Sequence, residues 1–396
     1  MGPAFGRGVA GTEWPADRRS APWARLERRS WADTAVLEAV ILGLHGLAEI
    51  WRNLDEFSAV DQEYEPMRLG VMAALFAELP LERMLERVAG AGLGAVELPV
   101  GAYPGAPFFD PDALLRSEGQ RAELIALVRE HRLEISALAV HGNPVHPDRQ
   151  IAKEHHRRFT VAVKLAKELG VDTVTTFSGC PGGSARDGAP NWVTCAWPPD
   201  FATILKWQWD EVLVPYWAAQ AKFAKEHGVR VAWEAHPGFC VYNPDTLMRL
   251  SERAQKESGL RGKPVLGANF DPSHFFWQGI DPVIAARHLG EAGLIFHVHA
   301  KDTELMSDEG AINGYCDARP YTDLMRRSWI FRTCGYGHGD DFWRPFISML
   351  RRVGYDGAIS IEHEDALMSV DEGFRKAVEY LKPIVIEEPP ATPWWT

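Results

Sequence analysis

Several short apolar runs of this chain stop on residues able to bind a metal or move a proton. In GANFDPSH, the strand-like run Leu266–Phe270 ends on Asp271, and Pro272 forbids a simple continuation of a ladder. His274 follows three residues after that carboxylate. An Asp so placed also suits the start of a helix. The same ending recurs with Glu234 in VAWEAHP, His297 and His299 in IFHVHAKD, and Glu362 in ISIEHED. Glu97, His141, Ser178, His236, Lys301, Asp302 and Glu364 stand at comparable points. Carboxylates gathered in one place repel each other, and burying them uncompensated costs roughly several kcal/mol each. A divalent cation relieves both problems. Two Glu, one Asp and one His form a mainly oxygen site with one nitrogen. Mn2+, with Mg2+ or Co2+ as alternatives, fits that set better than a structural zinc, which prefers Cys and His.

Residues so distant in sequence meet only if the fold collects the run ends. From Met67 onward, apolar runs alternate with amphipathic stretches. The runs predict strands at Arg68–Leu75, Ala95–Val100, Glu134–Val140, Thr173–Phe177, Arg230–Glu234, Val265–Phe270, Leu294–His299 and Ala358–Glu362. Helices are predicted over 81–91, 119–131, 150–169, 201–227, 244–257, 281–291, 342–353 and 371–382. Eight strand–helix units imply parallel strands, right-handed crossovers and an α/β fold of the (β/α)8 TIM barrel type. An open doubly wound sheet would need a Gly-rich phosphate turn after its first strand, and VMAALFAELP offers none. In a barrel, the strand ends share one mouth. Two long connections remain. Residues 180–199, with Trp192, Cys195 and Trp197, read as a packed lid that excludes water, and 303–340 reads as a loop.

Bulk properties narrow the function. A net charge of −12 opposes general affinity for nucleic acid. Five cysteines, with no C-x-x-C pair, suggest no disulfide framework and fit a reducing cytoplasm. No apolar run reaches the roughly 18–20 residues of a membrane span. The barrel is expected over 67–386, after a 1–66 extension that is largely disordered with one helix over 33–53; residues 387–396 form a Pro-rich tail. Arg28-Arg29 ahead of Ala35–Leu47 is similar to a twin-arginine export signal, but Asp33, Glu38 and His45 interrupt it.

From about Met67 to Lys382, the endings NFDPSH, HVHAKD, GYGHGDDFW and GYDGAISIEHED resemble the xylose isomerase-like TIM-barrel superfamily, in its sugar isomerase/epimerase branch. SGCPG, NWVT and EAHPGFCVYNP resemble 3-keto-glycoside-acting proteins, including catalytic subunits of C-glycoside deglycosidases. The resemblance implies that Glu234, Asp271, His299 and Glu362 ligate one divalent cation. His299 is preferred to His297 because it matches the second His of an H-x-H pattern. Glu234 and Glu362 would also be base and acid in proton abstraction next to a carbonyl, through a metal-stabilised enediolate. His274 would touch a substrate oxygen or a second ion, and His141, His236, Lys301 and Trp277 would contact substrate.

Ketose epimerases carry an Arg six positions after the ligand His; here that position is Leu305, which speaks against ketohexose 3-epimerisation. Lys301 is the alternative source of positive charge. Plainer readings stand beside these. His236 and His338 suit loops, Asp302 and Glu364 suit orienting groups or caps, and Trp192, Trp197 and Trp277 suit packing as well as sugar stacking.

The expected activity is thus a divalent-metal-dependent sugar isomerase or epimerase on a small, unphosphorylated sugar or keto-glycoside. The alternative is a 3-keto-glycoside lyase of the C-glycoside deglycosidase type using the same site. An AP-endonuclease-like nuclease would want a further D-x-H pair, which the sequence lacks, and a non-catalytic sugar-binding subunit is opposed by the full ligand set. No nucleic-acid or membrane partner is expected; a homo-oligomer and a partner subunit both remain open.

Overall fold

Eight parallel strands close into a barrel in the computed structural model, which describes residues 66–388 together with 391 and 395. The predicted extension, its helix over 33–53 and most of the 387–396 tail lie outside the described residues. The strands are β1 (Arg68–Met72), β2 (Ala95–Pro99), β3 (Glu134–Ala139), β4 (Thr173–Phe177), β5 (Arg230–Glu234), β6 (Leu266–Phe270), β7 (Ile295–Ala300) and, after a two-stranded insertion, β10 (Ala358–Ile361). Their order around the barrel is β1-β10-β7-β6-β5-β4-β3-β2. Among the described residues, no helix is long and apolar enough to cross a membrane.

The alternation of each strand sorts its side chains between two environments. Outward residues pack against the helices. Trp233 meets Trp217 edge-on at 4.9 Å, and Phe270 meets Phe346 at 5.4 Å. Helix boundaries follow local chemistry. Asp148 and Asp281 cap Arg149–Leu169 and Pro282–Glu291. Asn243 and Thr246 form a reciprocal cap on Pro244–Ser258. Gly170 ends its helix in the left-handed conformation, φ 72°.

Three expectations need correction. The first strand stops at Met72, and Ala73–Phe76 turn as a 3-10 helix rather than extending to Leu75. The helix predicted over 201–227 is broken into Pro199–Trp207, a π-type segment at Gln208–Leu213, and Val214–Glu226. Pro215 follows that segment and has no amide hydrogen to donate, so regular α bonding is interrupted there. The 303–340 loop is not structureless. It contains β8 (Asp302–Leu305) paired antiparallel to β9 (Trp329–Arg332), with a helix, Ser307–Asn313, between them.

Gly267 shows how closely β6 and β7 approach. A Cβ there would lie 2.5 Å from the Leu294 carbonyl oxygen and 2.6 Å from the Phe296 ring. Backbone cannot yield as a flexible side chain can. Gly267→Ala is therefore expected to destabilise the barrel by roughly 1–3 kcal/mol, read as a lowered thermal midpoint; an unchanged midpoint would show that the strands can part freely.

Candidate metal centre and active site

Four inward positions at the carboxyl ends of β5, β6, β7 and β10 converge. Trp233 faces outward, so Glu234 faces in. Asp271 follows the outward Phe270. His297 and His299 both lie inside, and Glu362 follows Ile361, its amide donating to the Ala300 carbonyl at 3.1 Å. One ligand atom from each of Glu234, Asp271, His299 and Glu362 falls within 4.8 Å of every other. His299 Nδ1 lies 3.3 Å from a Glu362 oxygen and 3.5 Å from a Glu234 oxygen. Glu234, Asp271 and His299 are buried, and Glu362 is partly buried.

Asp271 meets both of its sequence readings. One oxygen accepts the Ser273 amide at 2.8 Å, a cap-like bond to the short helix Ser273–Phe276. The other, Oδ2, is buried and receives no well-directed hydrogen bond among the described residues. That oxygen's near charge is the Lys301 ammonium at 3.1 Å, and together with two further carboxylates and an imidazole nitrogen it makes a donor set that fits a divalent cation.

Lys301 sits inside this group. Its ammonium lies 2.7 Å from Glu362, 3.1 Å from Asp271 and 3.3 Å from Glu364, and over the Phe331 ring at 4.8 Å. Burial alone would push the lysine down, but these carboxylates outweigh it and hold its pKa well above the usual value. Glu362 shows the converse. Burial pushes it up, yet Lys301 and His299 hold it well below the ordinary carboxylate range. For His299, burial favours the neutral ring, while Glu97 and Glu362 outweigh that and raise its pKa well above normal.

The other residues singled out from the sequence divide. His274 Nε2 lies 2.9 Å from one Glu234 oxygen, and His141 Nε2 3.2 Å from the other. His236 stacks obliquely on His274 at 4.1 Å; its Nδ1 meets the Pro237 carbonyl at 2.6 Å, and burial lowers its pKa to about 3. Trp277 is not brought into the group. It lies flat on Trp329 at 4.7 Å, and Trp329 in turn packs on Phe331. His338 is a loop residue, stacked on Phe276 at 3.7 Å and bonded to Asp302 at 2.8 Å. Asp302 also accepts the amides of Gly335, Gly337 and His338, so it anchors that loop rather than orienting a site imidazole.

The 180–199 segment is not packed by its aromatic residues, contrary to expectation. Trp197 is 75% exposed and Cys195 is exposed, while Trp192, 36% exposed, meets Tyr242 edge-on. Polar bonds hold the segment instead: the Gln208 amide donates to the carbonyls of Gly182 and Asn191, and Asp187 accepts the amides of Gly183 and Ser184. At its root, fully buried Trp217 donates its indole N–H to the Ser178 carbonyl at 2.8 Å. Trp217→Ala removes both that bond and the contact with Trp233. A loss of about 3–5 kcal/mol is expected by chemical denaturation; a loss below about 1 kcal/mol would mean the cavity collapses without cost.

Two buried residues received no role from the sequence. Glu97, on β2, accepts from the His299 ring at 2.8 Å and from the Thr175 hydroxyl at 2.6 Å. Asn269, on β6, places its side-chain amide 3.2 Å from His299 and 3.4 Å from Glu234, while its carbonyl oxygen meets His297 at 3.0 Å. The available signal was a polar residue at an inward position of an otherwise apolar strand, in AVELP and LGANF.

Residues 85–384 match the family described as "Xylose isomerase-like TIM barrel". The chain is 37% identical over 319 residues to YfiH of Bacillus subtilis (strain 168), described as uncharacterized; the match covers 80% of this chain and 98% of that relative. Among solved structures, it is similar to a D-tagatose 3-epimerase-like protein (20% identity, TM-score 0.51, covering 80% of this chain and 98% of the other). It is also similar to the IOLI protein with a binding zinc atom (18% identity, TM-score 0.53, covering 81% and 98%). At these identities the structural likeness shows the fold.

Proposed function

Because the chain belongs to the xylose isomerase-like TIM barrel family, we propose that it is a divalent-metal-dependent sugar isomerase or epimerase, acting by proton transfer next to a carbonyl. The observation that carries this reading is the convergence of Glu234, Asp271, His299 and Glu362 at the mouth end of the barrel. These residues would hold the cation, for which Mn2+ is our choice. When bound, a divalent cation supplies Lewis acidity toward a carbonyl oxygen and a neighbouring hydroxyl. The similarity to a zinc-bound structure supports a divalent ion in general.

The chain's own groups handle the proton. Glu362 and Glu234 are both held ionised, so either can accept the substrate's proton and, once protonated, return it to carbon. His274 is hydrogen-bonded to one oxygen of Glu234 at 2.9 Å and steadies its carboxylate, while His141 Nε2 lies 3.2 Å from the other without a well-directed bond. Phe177 packs edge-on against His141 and His236, and Phe331 against His274 and beneath Lys301, so aromatic rings surround the polar groups. Lys301, His274, His141 and His236 are the polar groups offered to substrate. Trp277 would reach substrate only at the outer edge of its stack on Trp329.

Return of the proton to the neighbouring carbon isomerises, and return to the opposite face epimerises. Expulsion of a β-substituent gives the alternative, a 3-keto-glycoside lyase. One observation favours keeping that outcome: Leu305 is paired with Trp329 in the β8–β9 ladder, so no cation comes from the position where ketose epimerases carry Arg. The proposed substrate is an unphosphorylated sugar or keto-glycoside, handled in the cytoplasm by a homo-oligomer or with a partner subunit.

Incubating the Mn2+-loaded protein in D2O with a panel of free ketoses and 3-keto-glycosides tests the reading. Deuterium is expected at the carbon next to the carbonyl, visible by proton NMR. A metal-loaded protein that exchanges no such proton in any member would reject it.

A further inference from the structure

The fully buried carboxylate of Glu97 is unusual for its place. It stands on β2 in an otherwise apolar run, AVELP, and is 0% exposed. Burying a carboxylate is costly unless it is paired and hydrogen-bonded. Its partners lie across the barrel interior. Oε2 is 2.8 Å from His299 Nε2, and Oε1 accepts the Thr175 hydroxyl at 2.6 Å. The pairing of β2 with β3 slips by one residue between Val96 and Glu97, an irregularity of the kind that re-aims a side chain.

The second nitrogen of the same ring faces the opposite way. His299 Nδ1 points toward the oxygens of Glu234 and Glu362 at 3.5 and 3.3 Å. A neutral imidazole carries one N–H and one lone pair. With the N–H directed at Glu97, the lone pair is left on Nδ1, facing the carboxylate cluster.

We propose that Glu97 is a positioning residue for the metal centre: bonded to His299 Nε2 and steadied by Thr175, it fixes the tautomer and ring orientation that present Nδ1 as a ligand. This rests on the proposed metal-dependent function. Loss of such an outer partner typically weakens metal binding by about 10–100-fold. Glu97 is not one of the four proposed ligands and reaches that group through His299, so its effect appears first in affinity. Gln at this position can still accept the imidazole N–H but carries no charge, which isolates the electrostatic part.

The test is the Mn2+ dissociation constant of full-length Glu97→Gln against wild type, by competition with a chelating indicator, beside the melting temperature of each chelator-treated protein. The expected result is affinity weakened by about 10–100-fold, measured at a temperature where both proteins are folded. A merely structural role would lower the melting temperature and leave affinity unchanged, and that outcome overturns the inference. Wild-type protein that takes up no Mn2+ would instead sink the functional reading itself. Should Glu97→Gln fail to fold, Thr175→Val carries the test: a severalfold loss of affinity supports the positioning role, and an unchanged value overturns it.

Discussion

Replacing Glu362 by Gln is expected to leave the barrel folded and lower turnover by roughly 10²–10⁴-fold, the usual contribution of a positioned acid or base. The substitution keeps the shape and removes the charge. Glu362 follows the last residue of β10, and its amide bonds to Ala300, so backbone geometry does not depend on the carboxylate. The fold should tolerate the change because one negative charge leaves a crowded group: Glu234, Asp271 and Glu364 all remain near Lys301. What is lost is one of the two groups able to accept the substrate's proton. Deuterium wash-in with the metal-saturated variant separates this from weakened metal binding. Unchanged turnover at saturating metal would remove Glu362 from the proton-transfer step.

Metal removal is expected to have the second large effect. Chelation should abolish activity, added Mn2+ should restore it, and the same ion should raise the melting temperature. A ligand that binds only the folded state stabilises it by about 2.7 kcal/mol at a hundredfold excess over its dissociation constant. The pH dependence has a definite sign. The Glu97 and Glu362 carboxylates outweigh burial and raise the His299 pKa above its unfolded value. Without a cation, the stability contributed by this proton is fully present below the unfolded pKa of about 6.5 and is lost as pH rises through the folded one. A cation must displace that proton, so stabilisation by Mn2+ should grow as pH rises through the same range. Melting curves with and without Mn2+ across pH check this, and stabilisation that shrinks with rising pH would contradict it. A chelator-treated, metal-free protein that keeps full activity would reject metal dependence.

Much of this architecture was legible in the sequence because barrel strands follow a rule with period two. Thr173–Phe177 and Arg230–Glu234 fall where the apolar runs placed them. The inward strand ends were readable for the same reason, since a carboxylate closing an apolar run is expensive unless it meets partners. Elements without such a rule were less legible. Trp192 and Trp197 suggested a packed lid, but composition cannot show which way a ring turns, and Gln208 and Asp187 hold the segment by polar bonds. The β8–β9 insertion was hidden in a Gly- and Arg-rich stretch. Glu97 was visible as a strand-end residue, but its partner His299 lies 202 positions away, and no local pattern reports that pairing.

The most direct test is a crystal grown with Mn2+, with diffraction measured on both sides of the manganese absorption edge. One anomalous peak bounded by the carboxylates of Glu234, Asp271 and Glu362 and by Nδ1 of His299 is the predicted result. Those four side chains bonded only to one another and to Lys301, with manganese bound elsewhere or not at all, would contradict it.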